Sequence, residues 1–167
     1  MSKKYYHIGP AEVEKLCGDP QELIDALCFS VSIYDGIEKY NEWLRNFTEP
    51  QKYVFAVMWY LAEVNNGGHD QFFYNSTGIM WRDALDGLKK IGCGEAAHIL
   101  TEAVCRIGGE PPFEREERWK VLERYEADFD DLDRGFYDID LFPYLEKYIK
   151  ENEEAFYIDR EIEMLFD

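Results

Sequence analysis

Basic residues are scarce in this chain: 18 Lys+Arg stand against 35 Asp+Glu, a formal net charge of −17 over 167 residues. A groove that holds nucleic acid and a polybasic patch on a membrane both need a Lys/Arg excess, so direct binding to either is not expected. Cysteine is nearly as scarce. Cys17, Cys28, Cys93 and Cys105 are too few to staple a chain of this length and show no CxxC spacing, so they are expected as reduced thiols in a cytoplasmic protein. No run of 18 apolar residues occurs, and the two lysines after Met1 have no apolar stretch behind them, so neither a membrane span nor a secretory signal is expected. Phosphate-binding loops, dinucleotide fingerprints, nucleophile motifs and metal-ligand pairs are missing as well, which leaves no expected cofactor or metal and no catalytic residue. A zinc site from Cys93, His98 and Cys105 fails on spacing. β-Branched alternation is absent, so strands have little support.

What the chain does have is apolar and aromatic mass. It is 46% hydrophobic and 16% aromatic, far from the composition of an acidic disordered chain, and long enough for one domain with a substantial core. Its punctuation reads as helix starts and stops. Pro10 opens a short helix that Gly18 closes; Asp19 caps a second, with Pro20 in its first position. Leu23, Ile24, Leu27, Cys28, Val31 and Tyr34 then recur at helical spacing, and beyond Gly36 the stripe continues through Ile37, Tyr40, Trp43 and Leu44. Thr48 and Gln51 form a capping box for a nearly all-apolar central helix over about 49–65, and Asn65-Asn66-Gly67-Gly68 reverses the chain after it. A short aromatic helix from His69 to Asn75 follows, then helices from Trp81 to Ile91, Glu95 to Ile107, Phe113 to Ala127 and Leu141 to Lys150. The expectation is an all-α, compact, single-domain multi-helix bundle over 1–167, its acidic portion 113–167 packed on a helical core over 20–110.

The charge is uneven. From Glu114 to Asp167 there are 19 acidic and 8 basic residues, net −11. The densest part carries Glu126, Asp128, Asp130, Asp131, Asp133, Asp138 and Asp140 against Arg134 alone, interleaved with Phe129, Leu132, Phe136, Tyr137 and Ile139, which should pin it to the body. An EF-hand calcium site is rejected on paper. A loop starting at Asp131 puts Phe136 at six and Phe142 at twelve, and one starting at Asp130 puts Leu141 at twelve, so the Gly-at-six, Glu-at-twelve pattern of an EF-hand is never met. Beside a looser cation site, two readings remain: a solvated face that keeps the protein soluble, or a surface shaped for a basic partner, including one that normally holds DNA. A domain of this size spans about 40 Å. Duplex DNA of that length carries roughly 24 phosphate charges, so imitation requires most carboxylates on one face, which a homodimer joining two faces would ease.

Asn65-Asn66-Gly67-Gly68-His69-Asp70-Gln71 is the one cluster with catalytic ingredients, a histidine, a carboxylate and amides at a helix start. Its competing account is structural, with Gln71 or Asn75 bonding the loop. The same residues carry a resemblance. Glu63-Val-Asn-Asn-Gly-Gly-His-Asp-Gln-Phe-Phe-Tyr-Asn75, followed by Ala84-Leu-Asp-Gly-Leu and Ile91-Gly92, resembles the signature of small acidic bacterial proteins named after a nineteen-kilodalton DNA-mimic protein. Phe129-Asp-Asp-Leu-Asp-Arg-Gly-Phe-Tyr137, with Tyr148-Ile149 and Asn152, looks like that family's C-terminal half. The resemblance implies an all-helical fold, a dimer and no known catalysis. For the founding member it implies an acidic surface that occupies the DNA-binding face of a transcription factor. The expected function is therefore a non-enzymatic acidic protein binding a basic, DNA-binding partner through Glu126, Asp128, Asp130, Asp131, Asp133, Asp138 and Asp140, with Asn65, Asn66, Gly67, Gly68, Gln71 and Asn75 as a structural loop. The alternatives are an enzyme or small-ligand binder using Asn65–Gln71, and an immunity or antitoxin protein against a basic toxin.

Overall fold

Glycine, proline and capping residues divide the chain into nine α-helices among the described residues, 2–165 of the computed structural model, joined by a single two-stranded ribbon. The expected all-α architecture holds. Two compact units form: one takes the residues up to Phe55 together with those from Leu141 onward, and the other takes Ala56–Asp140.

In the first unit, β1 (Ser2–Ile8) leads into α1 (Pro10–Leu16), α2 (Pro20–Cys28) and α3 (Ile37–Leu44). The Asp19 cap is present, its Oδ1 accepting the Glu22 N–H at 3.1 Å. The helix it opens ends at Cys28, however, and Tyr34 is 69% exposed, so the stripe predicted through Val31 and Tyr34 stops a turn early. Ser30 ends it by turning its Oγ back onto the Leu27 carbonyl at 2.7 Å. Further along the chain come α9 (Phe142–Glu151), a 3-10 turn over Glu153–Phe156, and β2 (Ile158–Met164). The helices α1, α2 and α9 close over Val13, Leu23, Ile24, Leu27, Leu145 and Ile149, all buried.

The ribbon supplies short strands that had little support in the sequence. β1 and β2 pair antiparallel in the register Ser2↔Met164 through Ile8↔Ile158, and Ile158, Ile162 and Met164 turn buried side chains to one face. That is the period-two pattern of a half-buried strand. Neither segment is strongly β-forming alone, and each becomes a strand because the other completes its hydrogen bonds.

The capping box exists as read: Thr48 N–H donates to Gln51 Oε1 at 3.0 Å and Gln51 N–H to Thr48 Oγ1 at 3.3 Å. It opens α4 (Glu49–Tyr74), whose Val54, Phe55, Ala56, Val57, Tyr60 and Val64 are at most 1% exposed. In the second unit follow a 3-10 turn (Ser76–Met80), α5 (Trp81–Lys90), α6 (Gly94–Arg106), α7 (Arg115–Tyr125) and α8 (Asp130–Tyr137). Sequence reading left α8 as an acidic stretch without assigned structure. Three aspartates in its first turn suit the positive end of a helix dipole, and Leu132 and Phe136 are spaced to bury one face. Of the acidic portion 113–167, residues up to Asp140 belong to the second unit and the rest to the first.

Candidate functional site

The motif loop is a corner inside α4. Gly67 (φ −157°, ψ 24°) and Gly68 (φ 74°, ψ −175°) leave helical geometry, so the helix has two arms, residues 49–66 and 69–74. The arms fold back on each other. Along a straight helix Tyr60 and Phe72 would be about 18 Å apart, yet their ring centroids lie 5.0 Å apart. Gly68 sits in the left-handed region, and a Cβ there would strike the Asp133 carboxylate.

Glu63 holds the corner on one side. Its Oε2 accepts from Gln71 Nε2 at 2.7 Å and from Asn75 Nδ2 at 3.0 Å, and its Oε1 from Thr77 Oγ1 at 2.9 Å. Gln71 and Asn75 are therefore structural donors to one carboxylate, while Asn65, Asn66 and Gly67 are exposed. The other side is held by His69, whose side chain is fully buried among Tyr60, Phe129 and Phe136. Its Nε2 lies 2.7 Å from the Tyr60 hydroxyl, its Nδ1 is hydrogen-bonded to Asp133 Oδ1, and its backbone N–H donates to the same oxygen at 3.0 Å. Burial lowers the imidazole pKa, although Asp133 opposes that shift. Burial likewise drives the Tyr60 phenol well above its ordinary pKa, with Asp133 adding to the effect.

These bonds sort the acidic stretch. Asp133, expected on the partner face, is turned inward, because two N–H groups of His69 converge on one of its oxygens. Asp131 is exposed but gripped by Arg106, whose two terminal nitrogens reach its two oxygens at 2.5 and 2.7 Å. Arg106 beside it holds this carboxyl down to about 2. Asp128 and Asp130 remain outward, with Asp128 Oδ1 accepting the Asp130 N–H at 2.9 Å. Asp70, read as a catalytic ingredient or a helix-start residue, joins them. Its pKa is raised first by partial burial and then by Asp133, Asp128 and Asp130, which puts it in the neighbourhood of these carboxylates. Glu126, in left-handed geometry after α7, and Asp138 and Asp140 beyond α8 are also exposed.

A third set of contacts was invisible in the sequence. Arg118, 1% exposed, donates to the carbonyls of Phe73 (2.9 Å), Asn75 (2.7 Å), Pro112 (3.1 Å) and Phe113 (2.5 Å). Arg115 Nε and Trp119 Nε1 both donate to the Tyr74 carbonyl, at 2.9 and 2.8 Å. Helix α7 thus caps the C-terminal carbonyls of α4 with side chains. Burial, then repulsion from Arg115, pulls the Arg118 guanidinium down to about 10. Nothing in Arg115-Glu-Glu-Arg118-Trp119 distinguishes the buried arginine from the exposed residues beside it.

Among the described residues no three His, Cys, Asp or Glu side chains are arranged to hold a metal, and Cys93 is buried whereas His98 and Cys105 are exposed. Two cavities, of about 290 and 610 Å³, are lined by first-unit residues such as Trp43 and Arg160 or Pro10 and Lys150, away from His69 in sequence and unit. Among the described residues no helix is long and apolar enough to cross a membrane. A family model described as DMP19-like protein matches residues 45–152, more than half of the chain and inclusive of the α4 corner, the α7 cap and α8. No curated protein and no solved structure matches the chain.

Proposed function

We propose, from the premise that this chain belongs to the DMP19-like protein family, that it is a DNA mimic: an acidic interaction protein without catalysis. Its carboxylate face binds a basic DNA-binding protein such as a transcription factor. The observation that carries this reading is the face itself. Asp70, Asp128 and Asp130 are exposed and close enough to raise the pKa of Asp70, and they stand on segments fixed from beneath by the His69–Asp133 and Arg106–Asp131 contacts. Carboxylates held at fixed spacing present a rigid charge pattern to guanidinium and ammonium groups, as a phosphate backbone does. A cytoplasmic homodimer that joins two such faces completes the proposal. The competing use of Asn65–Gln71 as a catalytic or ligand site gains little support, because His69, Gln71 and Asn75 spend their polar atoms on Tyr60, Asp133 and Glu63.

The test begins with affinity capture at low salt and purification of the protein retained. That protein is expected to bind DNA, to be released by competing duplex DNA, and to lose at least about tenfold in affinity between about 50 and 200 mM salt. The triple variant Asp70→Asn, Asp128→Asn, Asp130→Asn should weaken the complex without lowering the unfolding midpoint of the chain. A partner that duplex DNA does not displace, or that binds the variant as tightly as the native chain, sinks the proposal.

A further inference from the structure

The geometry points to a proton-sensitive lock at His69 that ties the two arms of the α4 corner together through Tyr60 and loosens them on acidification. It concerns the fold alone and stands whether or not the acidic face has the partner proposed above.

The hydrogen-bond chain has a direction. Asp133 Oδ1 accepts the backbone N–H of His69 at 3.0 Å and is also bonded to the ring Nδ1, so Nδ1 carries a proton and donates it. In a neutral imidazole the other nitrogen is then a bare acceptor. Nε2 lies 2.7 Å from the hydroxyl of Tyr60, which is itself 0% exposed, so that O–H donates inward to the ring. Every polar atom in the chain is satisfied in this one arrangement, and among the described residues no buried side-chain nitrogen or oxygen lacks a partner.

A second proton on the ring breaks the arrangement. Nε2 becomes a donor facing a donor, and the Tyr60 hydroxyl must turn its hydrogen toward Phe72, Phe136 and the apolar interior, where it has no acceptor. The charged and titratable groups around the ring come from each packed element: Tyr60 from the first arm of α4, Asp70 from the second, Arg106 from α6 and Asp133 from α8. Asp133 favours the imidazolium; burial, the bare Nε2 and Arg106 oppose it. The net direction is a lowered pKa. A histidine whose folded pKa lies below its unfolded value contributes full stability above about pH 6.5, and loses it as pH falls below that value. The contact that the proton breaks joins Tyr60 on the first arm of α4 to His69 on the second, whereas the Asp133 contact gains charge, so the loss falls on the corner itself.

The test uses the full chain and imidazole nitrogen NMR. The expected spectrum shows the neutral Nδ1–H tautomer at pH 7.5 and a midpoint below about 6.5. Hydrogen-exchange protection factors of the α4 corner, from Tyr60 to Phe72, should fall at least about fivefold between pH 7 and pH 5. In Tyr60→Phe, which removes only the donor to Nε2, the His69 midpoint should move upward. An Nε2–H tautomer, a midpoint at or above 6.5, or protection factors of the corner constant over this range would overturn the lock. Those readings come from the native chain, so the outcome is decided even if the Tyr60→Phe variant fails to fold.

Discussion

At the scale of single residues, position in the helix corner decides what a substitution costs. Gly68 and Gly92 both have positive φ, 74° and 85°, but a Cβ on Gly92 meets nothing within 4 Å, whereas one on Gly68 enters the Asp133 carboxylate. Gly92→Ala should therefore cost the backbone strain alone, about 1–2 kcal/mol. Gly68→Ala should cost at least about 1 kcal/mol more, because the His69–Asp133 bonds must give way. Paired denaturant midpoints read the difference, and equal losses would mean that the contact is not tight. Of these residues the sequence announced the glycines, whose role is local. The inward turn of Asp133 was not legible: the six other carboxylates of its stretch have the same chemistry, and only a histidine 64 residues away selects Asp133.

At the scale of elements, local signals were read well and distant ones were not. The Asp19 cap, the Thr48–Gln51 box and the corner after the apolar helix all depend on residues within four positions of each other, and all three are present. Helix α8 was hidden under its own charge, since a dense acidic run reads as solvated until Leu132 and Phe136 find a surface to bury against. Helix α7 is the opposite case, a recognised helix whose attachment was unforeseen. Only Arg118 of its residues is buried, and that side chain serves four carbonyls. Arg118→Met should leave those carbonyls short of donors and cost about 2–4 kcal/mol. Arg118→Lys, which keeps the charge but loses the fork, should fall between. Urea unfolding with an unchanged slope checks both; a neutral Arg118→Met would show that α7 is held by other contacts.

At the scale of the whole molecule, a net charge of −17 sets stability against self-repulsion. Asp70 is the residue through which this is best measured. Its pKa is raised by burial and by three neighbouring carboxylates, so ionising it costs stability as pH rises through the carboxylate range. Asp70→Asn should raise the unfolding midpoint at pH 7 and shrink its rise with added salt. A midpoint that drops instead would mean that the ionised group has an attractive partner. The opposite sign at His69 makes stability fall again on the acid side. The ribbon adds a constraint of another kind. Tyr5 and Asp159, joined across β1 and β2, are 154 residues apart. At a ribosome's pace the first strand waits roughly 8–30 s for the second, while the second unit is already complete as contiguous chain. An unpaired edge waiting that long invites sticking to other nascent chains. Lys3 and Lys4, two of the few basic residues in the molecule, sit on that strand, where their charge guards it during synthesis.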